Sequence, residues 1–326
     1  MIAKNNIEPA ASYFGEKPMP TNLIEKAVIK ALVHRVAGLA NKGGNERVKT
    51  ITQRLLSDLF IAIDDLDIQM DEIWAAVAFL EKAGQGKQLG LIVPGIGLEH
   101  FLDLRLDAAE QQAGISGGTS RTIEGPLYVA GAPLSKGDAR LDDGTDDGEI
   151  LFMQGRVLDT GGKPVADAIV DVWHANTSGY YSHFGPQQSP YNLRRRIATD
   201  AEGRYKFRSI MPSGYGCPPG SEAETLMKTL GRHARRPAHI HFFVSAPGYR
   251  HLTTQINIDG DQYLHDDFAF ATRDDLIPAV KRIDDPVAMK EHGLNKPFAS
   301  IDFDFTILKE VKGSIGTIVQ RERAVV

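Results

Sequence analysis

The chain has 326 residues, enough for one large domain or two modest ones. Charged residues make up 24% and apolar residues 42%, proportions that exclude disordered and fibrous architectures. The net charge of −5 offers no basic excess to nucleic acid or to an anionic membrane surface, and a single cysteine, Cys217, excludes an intrachain disulfide or a multi-cysteine metal site.

The first ten residues, MIAKNNIEPA, lack the apolar stretch of a signal peptide, and no run approaches the ~20 apolar residues needed to span a bilayer. One cysteine also fits a reducing compartment. The expectation is a soluble, cytoplasmic protein with no nucleic-acid or membrane partner.

Up to about residue 115 the apolar spacing is helical. In Thr21–Ala40, Leu23, Ile24, Ala27, Val28, Ala31, Leu32 and Val36 form one stripe, and in Glu46–Leu66 so do Val48, Ile51, Leu55, Leu59 and Ile63. Asn41-Lys-Gly-Gly-Asn separates the two as a stop and turn. Asp71–Lys82, with Ile73, Trp74, Val77 and Leu80, and Leu98–Ala108, with Phe101, Leu102 and Leu104, extend the pattern to four or five helices.

Beyond residue 120 the period shortens. Ile150–Leu158 and Ala168–His174 around Asp159-Thr-Gly-Gly-Lys-Pro read as strand, tight turn, strand, and Arg196–Asp200 and Arg204–Arg208 around Ala201-Glu-Gly read as another hairpin. His239–Ser245, Leu252–Ile258 and Ser300–Leu308 bring the count to about seven strands. The reading is α+β: a helical domain over 1–115 and an antiparallel β-sandwich over 116–326. The acidic Asp142-Asp-Gly-Thr-Asp-Asp-Gly reads as a solvated loop.

Two features carry chemistry. In Arg236-Pro-Ala-His-Ile-His-Phe-Phe, His239 and His241 are two apart and share one strand face, a spacing that suits two adjacent positions on one metal. Two histidines on an exposed strand face have the same spacing. The second feature is tyrosine in rigid loops, in Gly179-Tyr180-Tyr181-Ser182 and in Pro212-Ser-Gly-Tyr215-Gly-Cys-Pro-Pro. Either alone is accounted for by packing or capping. Together, two phenols and two imidazoles suggest a ferric centre. Phenolate is a hard anion, and only a highly charged cation ionises a group whose pKa is ordinarily about 10. Oxygen-activating Fe(II) sites, by contrast, use two His and one carboxylate. A metal kept ferric would activate an electron-rich chelating substrate such as a catechol.

Asp171–Ser182 (DVWHANTSGYYS), Asn192-Leu-Arg-Arg-Arg, the Tyr215 loop and the Arg236–Phe243 strand together resemble the intradiol ring-cleavage dioxygenases. Thr122-Ile-Glu-Gly-Pro-Leu-Tyr, Leu252-Thr-Thr-Gln-Ile-Asn and Asp266–Asp274 (DDFAFATRD) narrow the resemblance to the catechol 1,2-dioxygenases, over about residues 20–310.

The resemblance implies that Tyr181, Tyr215, His239 and His241 bind Fe(III), with Tyr181 and His239 equatorial and Tyr215 and His241 axial. Tyr181 rather than Tyr180 matches, and His183 matches no ligand position. Arg236 would support negative charge on the substrate and Gln255 would lie beside the iron. Leu91, Pro94, Ile123, Pro126, Leu127, Phe268 and Ala269 would line the ring; for these, ordinary core packing is as good a reading. A structural salt bridge is the alternative for Arg236, and Cys217 reads as structural.

The implied reaction is cleavage of catechol by O2, through an anhydride, to cis,cis-muconate in the β-ketoadipate pathway. Tyr215 would leave the metal and take a substrate proton. A chlorocatechol or hydroxyquinol enzyme on the same scaffold is the nearest alternative. A non-catalytic binding module, and a zinc protein, which would favour Cys and His, are more distant ones. The resemblance further implies a homodimer through the helical segment, with a phospholipid in an apolar tunnel there.

Overall fold

The computed structural model describes residues 23–185 and 188–310. The signal-peptide reading of MIAKNNIEPA and the first two residues of the Thr21–Ala40 stripe lie outside them. By packing, the chain divides into two compact units, Met1–Gly86 and Lys87–Val326.

The first unit contains α1 (Lys26–Val36), α2 (Glu46–Asp65) and α3 (Met70–Gln85). Asn45 caps α2 by accepting a hydrogen bond from the Val48 amide, satisfying one of the amides left over at a helix start. Asp64 near its far end accepts from the Leu23 amide and so ties α2 to the approach of α1. The expected apolar stripe is present on α2 but not buried within the chain: Val48, Ile51, Leu55 and Leu59 are each at least 41% exposed.

The second unit opens with α4 (Leu89–Gly95) and α5 (Leu98–Gln112). α5 ends at Gln112 and the first strand begins at Leu134, whereas packing divides the chain after Gly86, earlier than the expected boundary at 115. Glu110 of α5 bonds Arg121 and Arg250 in the strand-bearing part, which groups these two helices with the sheets.

Two sheets follow. One has the order β1 (Leu134–Lys136), β5 (Arg194–Ala198), β4 (Ile169–His174), β9 (His239–Ser245), β10 (Leu252–Asn257). The other has the order β11 (Lys281–Ile283), β12 (Phe298–Asp302), β3 (Ile150–Asp159), β6 (Arg204–Ile210), β2 (Asp138–Arg140), with β13 (Phe305–Ile307) also on β3. Their inner faces share one core, in which Val170, Val172, Ile240, Phe242 and Val244 of the first sheet join Leu151, Met153, Phe207, Ile301 and Phe305 of the second.

The sandwich is mixed rather than purely antiparallel. β1 on β5, β2 on β6, and β12 and β13 on β3 are parallel, while the central pairs β3–β6, β4–β5, β4–β9 and β9–β10 are antiparallel. The two expected hairpins do not form: β3 and β4 fall in different sheets, as do β5 and β6, because each connecting turn crosses from one layer of the sandwich to the other. Strands that arrive from distant parts of the chain have no tight turn between them to dictate the sense of pairing, so both senses occur. Between β6 and β9 the chain leaves the sheets to form a two-stranded ribbon, β7 (Tyr215–Gly216) with β8 (Arg235–Arg236), spanned by α6 (Glu222–Thr229).

Candidate metal centre and substrate cleft

β9 is buried on both faces. Ile240, Phe242 and Val244 enter the sandwich core, so by the strand period of two His239, His241 and Phe243 face the opposite side. There β9 pairs with β4 on one flank and β10 on the other, setting Trp173 and Gln255 directly opposite His241. The Trp173 ring stacks on the His241 ring at 4.9 Å with an interplanar angle of 7°, fixing that imidazole's plane.

The tyrosines arrive on two loops that touch. Tyr181 follows β4 by a turn in which Gly179 has φ +80°. A Cβ on Gly179 would lie 2.8 Å from the Tyr215 Cβ, so a left-handed backbone and a close approach both demand glycine here. Tyr215 is held in register opposite Arg236 by the β7–β8 ribbon.

Four polar atoms converge. Tyr181 Oη and Tyr215 Oη are 3.4 Å apart, each is 3.4 Å from His239 Nε2, and His239 Nε2 is 3.1 Å from His241 Nε2. His239 Nδ1 lies 2.7 Å from the Pro237 carbonyl oxygen. That acceptor fixes the proton on Nδ1 and leaves a lone pair on Nε2, aimed at the cluster. Burial, reinforced by the neighbouring Arg236 charge, pushes His239 down to about 3, so it is neutral. Burial first, and then Tyr215, raise the Tyr181 phenol well above its ordinary value. Only a strong adjacent positive charge would ionise it.

The donor set fits a hard trivalent ion. Among the described residues no group of three or more His, Cys, Asp or Glu is placed to hold a metal, so any metal at this point needs the phenol oxygens. Two phenolates cancel most of a 3+ charge, which a buried site requires. Donors 3.1–3.4 Å apart are spaced as neighbours on one ion whose ligand bonds are about 2 Å.

Arg236 borders this cluster. Its Nη1 lies 3.0 Å from His239 Nε2, its Nη2 donates to Gln255 Oε1 at 2.9 Å, and its Nε and Nη2 donate to Asp267 at 3.0–3.1 Å. Burial works against the guanidinium charge, but Asp267 outweighs it and raises the Arg236 pKa. Burial likewise works against the Asp267 carboxylate, and Arg236 holds its pKa below the ordinary range. Gln255 donates onward to Asn257 Oδ1 at 3.1 Å, which sets its amide orientation.

Leu91, Pro94, Ile123, Pro126, Leu127, Phe268 and Ala269 line one cleft together with Tyr215 and Arg236, so every residue expected at the ring comes to one place. Cys217 lines it too, where the sequence reading gave it a structural role; burial pushes its thiol up to about 11, leaving it protonated at neutral pH. His183 stays outside the cluster, accepting from the Tyr191 amide at 3.3 Å. Sequence reasoning missed Trp173 and Asp267. Both lie inside the resembling motifs, but nothing local separates Asp267 from Asp266, which instead pairs with His233.

Residues 123–308 match the dioxygenase family, and residues 45–114 match the catechol dioxygenase N terminus. The chain is 60% identical over 259 residues to catechol 1,2-dioxygenase 2 of Acinetobacter lwoffii, covering 79% of this chain and 94% of that one. It is 48% identical over 311 residues to catechol 1,2-dioxygenase of Acinetobacter baylyi, covering 94% and 100%. The crystal structure of wild-type catechol 1,2-dioxygenase from Acinetobacter radioresistens superposes with a TM-score of 0.89 at 50% identity, over 93% of this chain and 99% of that one. A hydroxyquinol 1,2-dioxygenase of Rhizobium is 34% identical over 271 residues, covering 81% and 90%, and a chlorocatechol 1,2-dioxygenase of Rhodococcus opacus 39% over 191, covering 57% and 74%. The identities, the coverage and the shared fold together show that this chain belongs to the catechol 1,2-dioxygenases, an intradiol family of ring-cleavage enzymes.

Proposed function

We propose that Tyr181, Tyr215, His239 and His241 hold Fe(III), and that at this centre the chain cleaves catechol with O2 between its two hydroxyl-bearing carbons to give cis,cis-muconate. The observation that carries the reading is the convergence of two phenol oxygens and the His241 Nε2 to within 3.4 Å of His239 Nε2, where among the described residues no group of three or more His, Cys, Asp or Glu could hold a metal. A ferric ion held by these four residues would supply Lewis acidity toward a chelating, electron-rich substrate such as catechol.

The chain's own residues do the rest. Leu91, Pro94, Ile123, Pro126, Leu127, Phe268 and Ala269 seat the ring and exclude water. Catechol must lose two protons: hydroxide entering with solvent would take one and leave as water, and the Tyr215 Oη, at the cleft wall and in the donor cluster at once, would take the other. The Arg236 guanidinium, fixed in place by Asp267 and Gln255, stabilises negative charge on the substrate oxygens. A pre-oriented cation in a buried site costs no reorganisation as that charge develops. Both oxygen atoms of O2 enter the product, so no external reductant is consumed.

Catechol is favoured over chlorocatechol and hydroxyquinol because the catechol relatives are 48–60% identical, against 34–39% for the others. The exposed stripe of α2 supports a homodimer through the first unit. The apolar groove between α1 and α2, lined by Val28, Ile29, Leu32, Phe60 and Ile63, would take the acyl chain of a phospholipid, which organic extraction and mass spectrometry would detect. Among the described residues no helix is long and apolar enough to cross a membrane, and a cytoplasmic role in aromatic catabolism accords with the lone cysteine.

The test is to purify the protein after iron-replete expression, measure its metal, and supply catechol and O2 without reductant. One iron per chain, phenolate-to-Fe(III) charge-transfer colour and cis,cis-muconate are expected. Zinc in place of iron, or the yellow semialdehyde of extradiol cleavage, refutes the reading.

A further inference from the structure

The two walls of the substrate cleft are joined by one side chain outside the donor cluster. α6 ends in a left-handed Gly231, φ +68°, with the Gly231 amide on the Lys228 carbonyl and the Arg232 amide on the Met227 carbonyl. This helix cap fixes the direction in which the Arg232 side chain leaves the backbone. Its guanidinium then forks. Nη1 donates to the Gly95 carbonyl at 2.6 Å and Nη2 donates to the Phe268 carbonyl at 2.9 Å. The same guanidinium lies 4.6 Å from the centre of the Phe270 ring, a cation–π contact.

Gly95 closes α4, which carries Leu91 and Pro94; Phe268 begins a second segment that lines the same cleft. The two walls already touch beneath the clamp, since a Cβ on Gly95 would lie 3.0 Å from the Phe268 ring. The start of α4 is tied separately, because Gln88 Oε1 accepts from the Glu222 amide at 2.6 Å. At the far end of α4, Arg232 supplies a polar link between Gly95 and the Phe268 segment. A planar fork with separated donors can serve two carbonyls at once, whereas a lysine ammonium is a single point charge on a flexible stem.

We propose that Arg232 is a specificity-determining positioning residue: by gripping the Gly95 and Phe268 carbonyls together it fixes the separation of the two walls that flank the substrate ring, and so limits which ring substituents the cleft admits. The inference rests on the catechol-cleavage reading above. None of the Arg232 contacts described here involves the four donor atoms, so removing the clamp changes the cleft without changing the metal's ligands.

The test compares the iron-loaded wild type with Arg232→Met, which keeps an unbranched apolar stem, and Arg232→Lys, which keeps the charge over Phe270. Kd for catechol and for 4-chlorocatechol is read anaerobically from the charge-transfer band, and kcat/KM for both is read with O2. One added group in an apolar pocket is worth about 10–200-fold in discrimination. Arg232→Met is expected to narrow the preference for catechol over 4-chlorocatechol about tenfold, and Arg232→Lys by less, with iron content and resting spectrum unchanged. Equal weakening of both ligands, or loss of iron, overturns the proposal by showing a merely structural role. If Arg232→Met does not fold, Arg232→Lys decides alone, and an unchanged ratio is then refuting. A wild type that does not convert catechol refutes the underlying reading and the inference with it; a wild type that converts it, with an unchanged ratio in the variants, refutes the inference alone.

Discussion

Replacing Asp267 by Asn tests whether Arg236 is held in place by a buried charge pair. The carboxylate accepts from Arg236 Nε and Nη2 and from the amides of Ala269 and Ala271, so the residue ties the guanidinium to the chain segment that lines the substrate ring. Both partners are almost wholly buried, with side chains 4% and 1% exposed. Asn keeps the size but turns one acceptor into a donor facing a guanidinium, and leaves the cation with Gln255 as its neutral side-chain partner. Removing one member of such a pair costs about 3–5 kcal/mol. For a unit of this size each kcal/mol lowers Tm by about 2–4 °C, so a fall of roughly 10 °C is expected by circular dichroism at pH 7.

The pH dependence follows from the sign of the shift. Asp267 has its pKa lowered in the folded state, so its contribution is present above its unfolded value of about 4 and is lost as the pH falls through the folded value. Wild type and Asp267→Asn should therefore differ most near neutral pH and converge in acid. A Tm within 1 °C of wild type at pH 7, or a gap that widens in acid, would refute the reasoning.

Tyr215→Phe and Tyr181→Phe should separate the two phenols. If Tyr215 takes a substrate proton, its loss costs about 10²–10⁴-fold in turnover with some iron retained, whereas Tyr181→Phe chiefly empties the site; metal analysis and visible spectra with and without anaerobic catechol read this, and equal effects would count against distinct roles. Gly179→Ala puts a side chain at φ +80° and 2.8 Å from the Tyr215 Cβ, and should cost about 2–4 kcal/mol in denaturant unfolding together with part of the iron. The exposed α2 stripe predicts a dimer by light scattering at micromolar concentration, and Leu55→Glu should shift it toward monomer.

What was legible in the sequence was local. The His239–Ser245 strand has the bounds its alternation predicts, because the period of two depends only on neighbouring residues, and the same period places His239 and His241 on one face. The α2 stripe follows in the same way from a period of 3.6. The tyrosines, the cleft residues and Arg236 became legible through motifs resembling a known family, since no periodicity links positions so far apart.

Tertiary structure decided everything that depends on distant segments meeting. Tyr181 reaches His239 across 58 positions of sequence because β4 and β9 pair, and Tyr215 joins them because Gly179 lets two loops touch. Parallel pairing of β12 with β3, about 150 residues away, leaves no trace in either strand's own alternation. The choice of Asp267 over Asp266 as the partner of Arg236 depends on which of two adjacent carboxylates faces inward, and Arg232 gained its two carbonyls only when α4 and the Phe268 segment came together. Periodicity records which face of an element is apolar; only folding determines what that face, or a charge beside it, will meet.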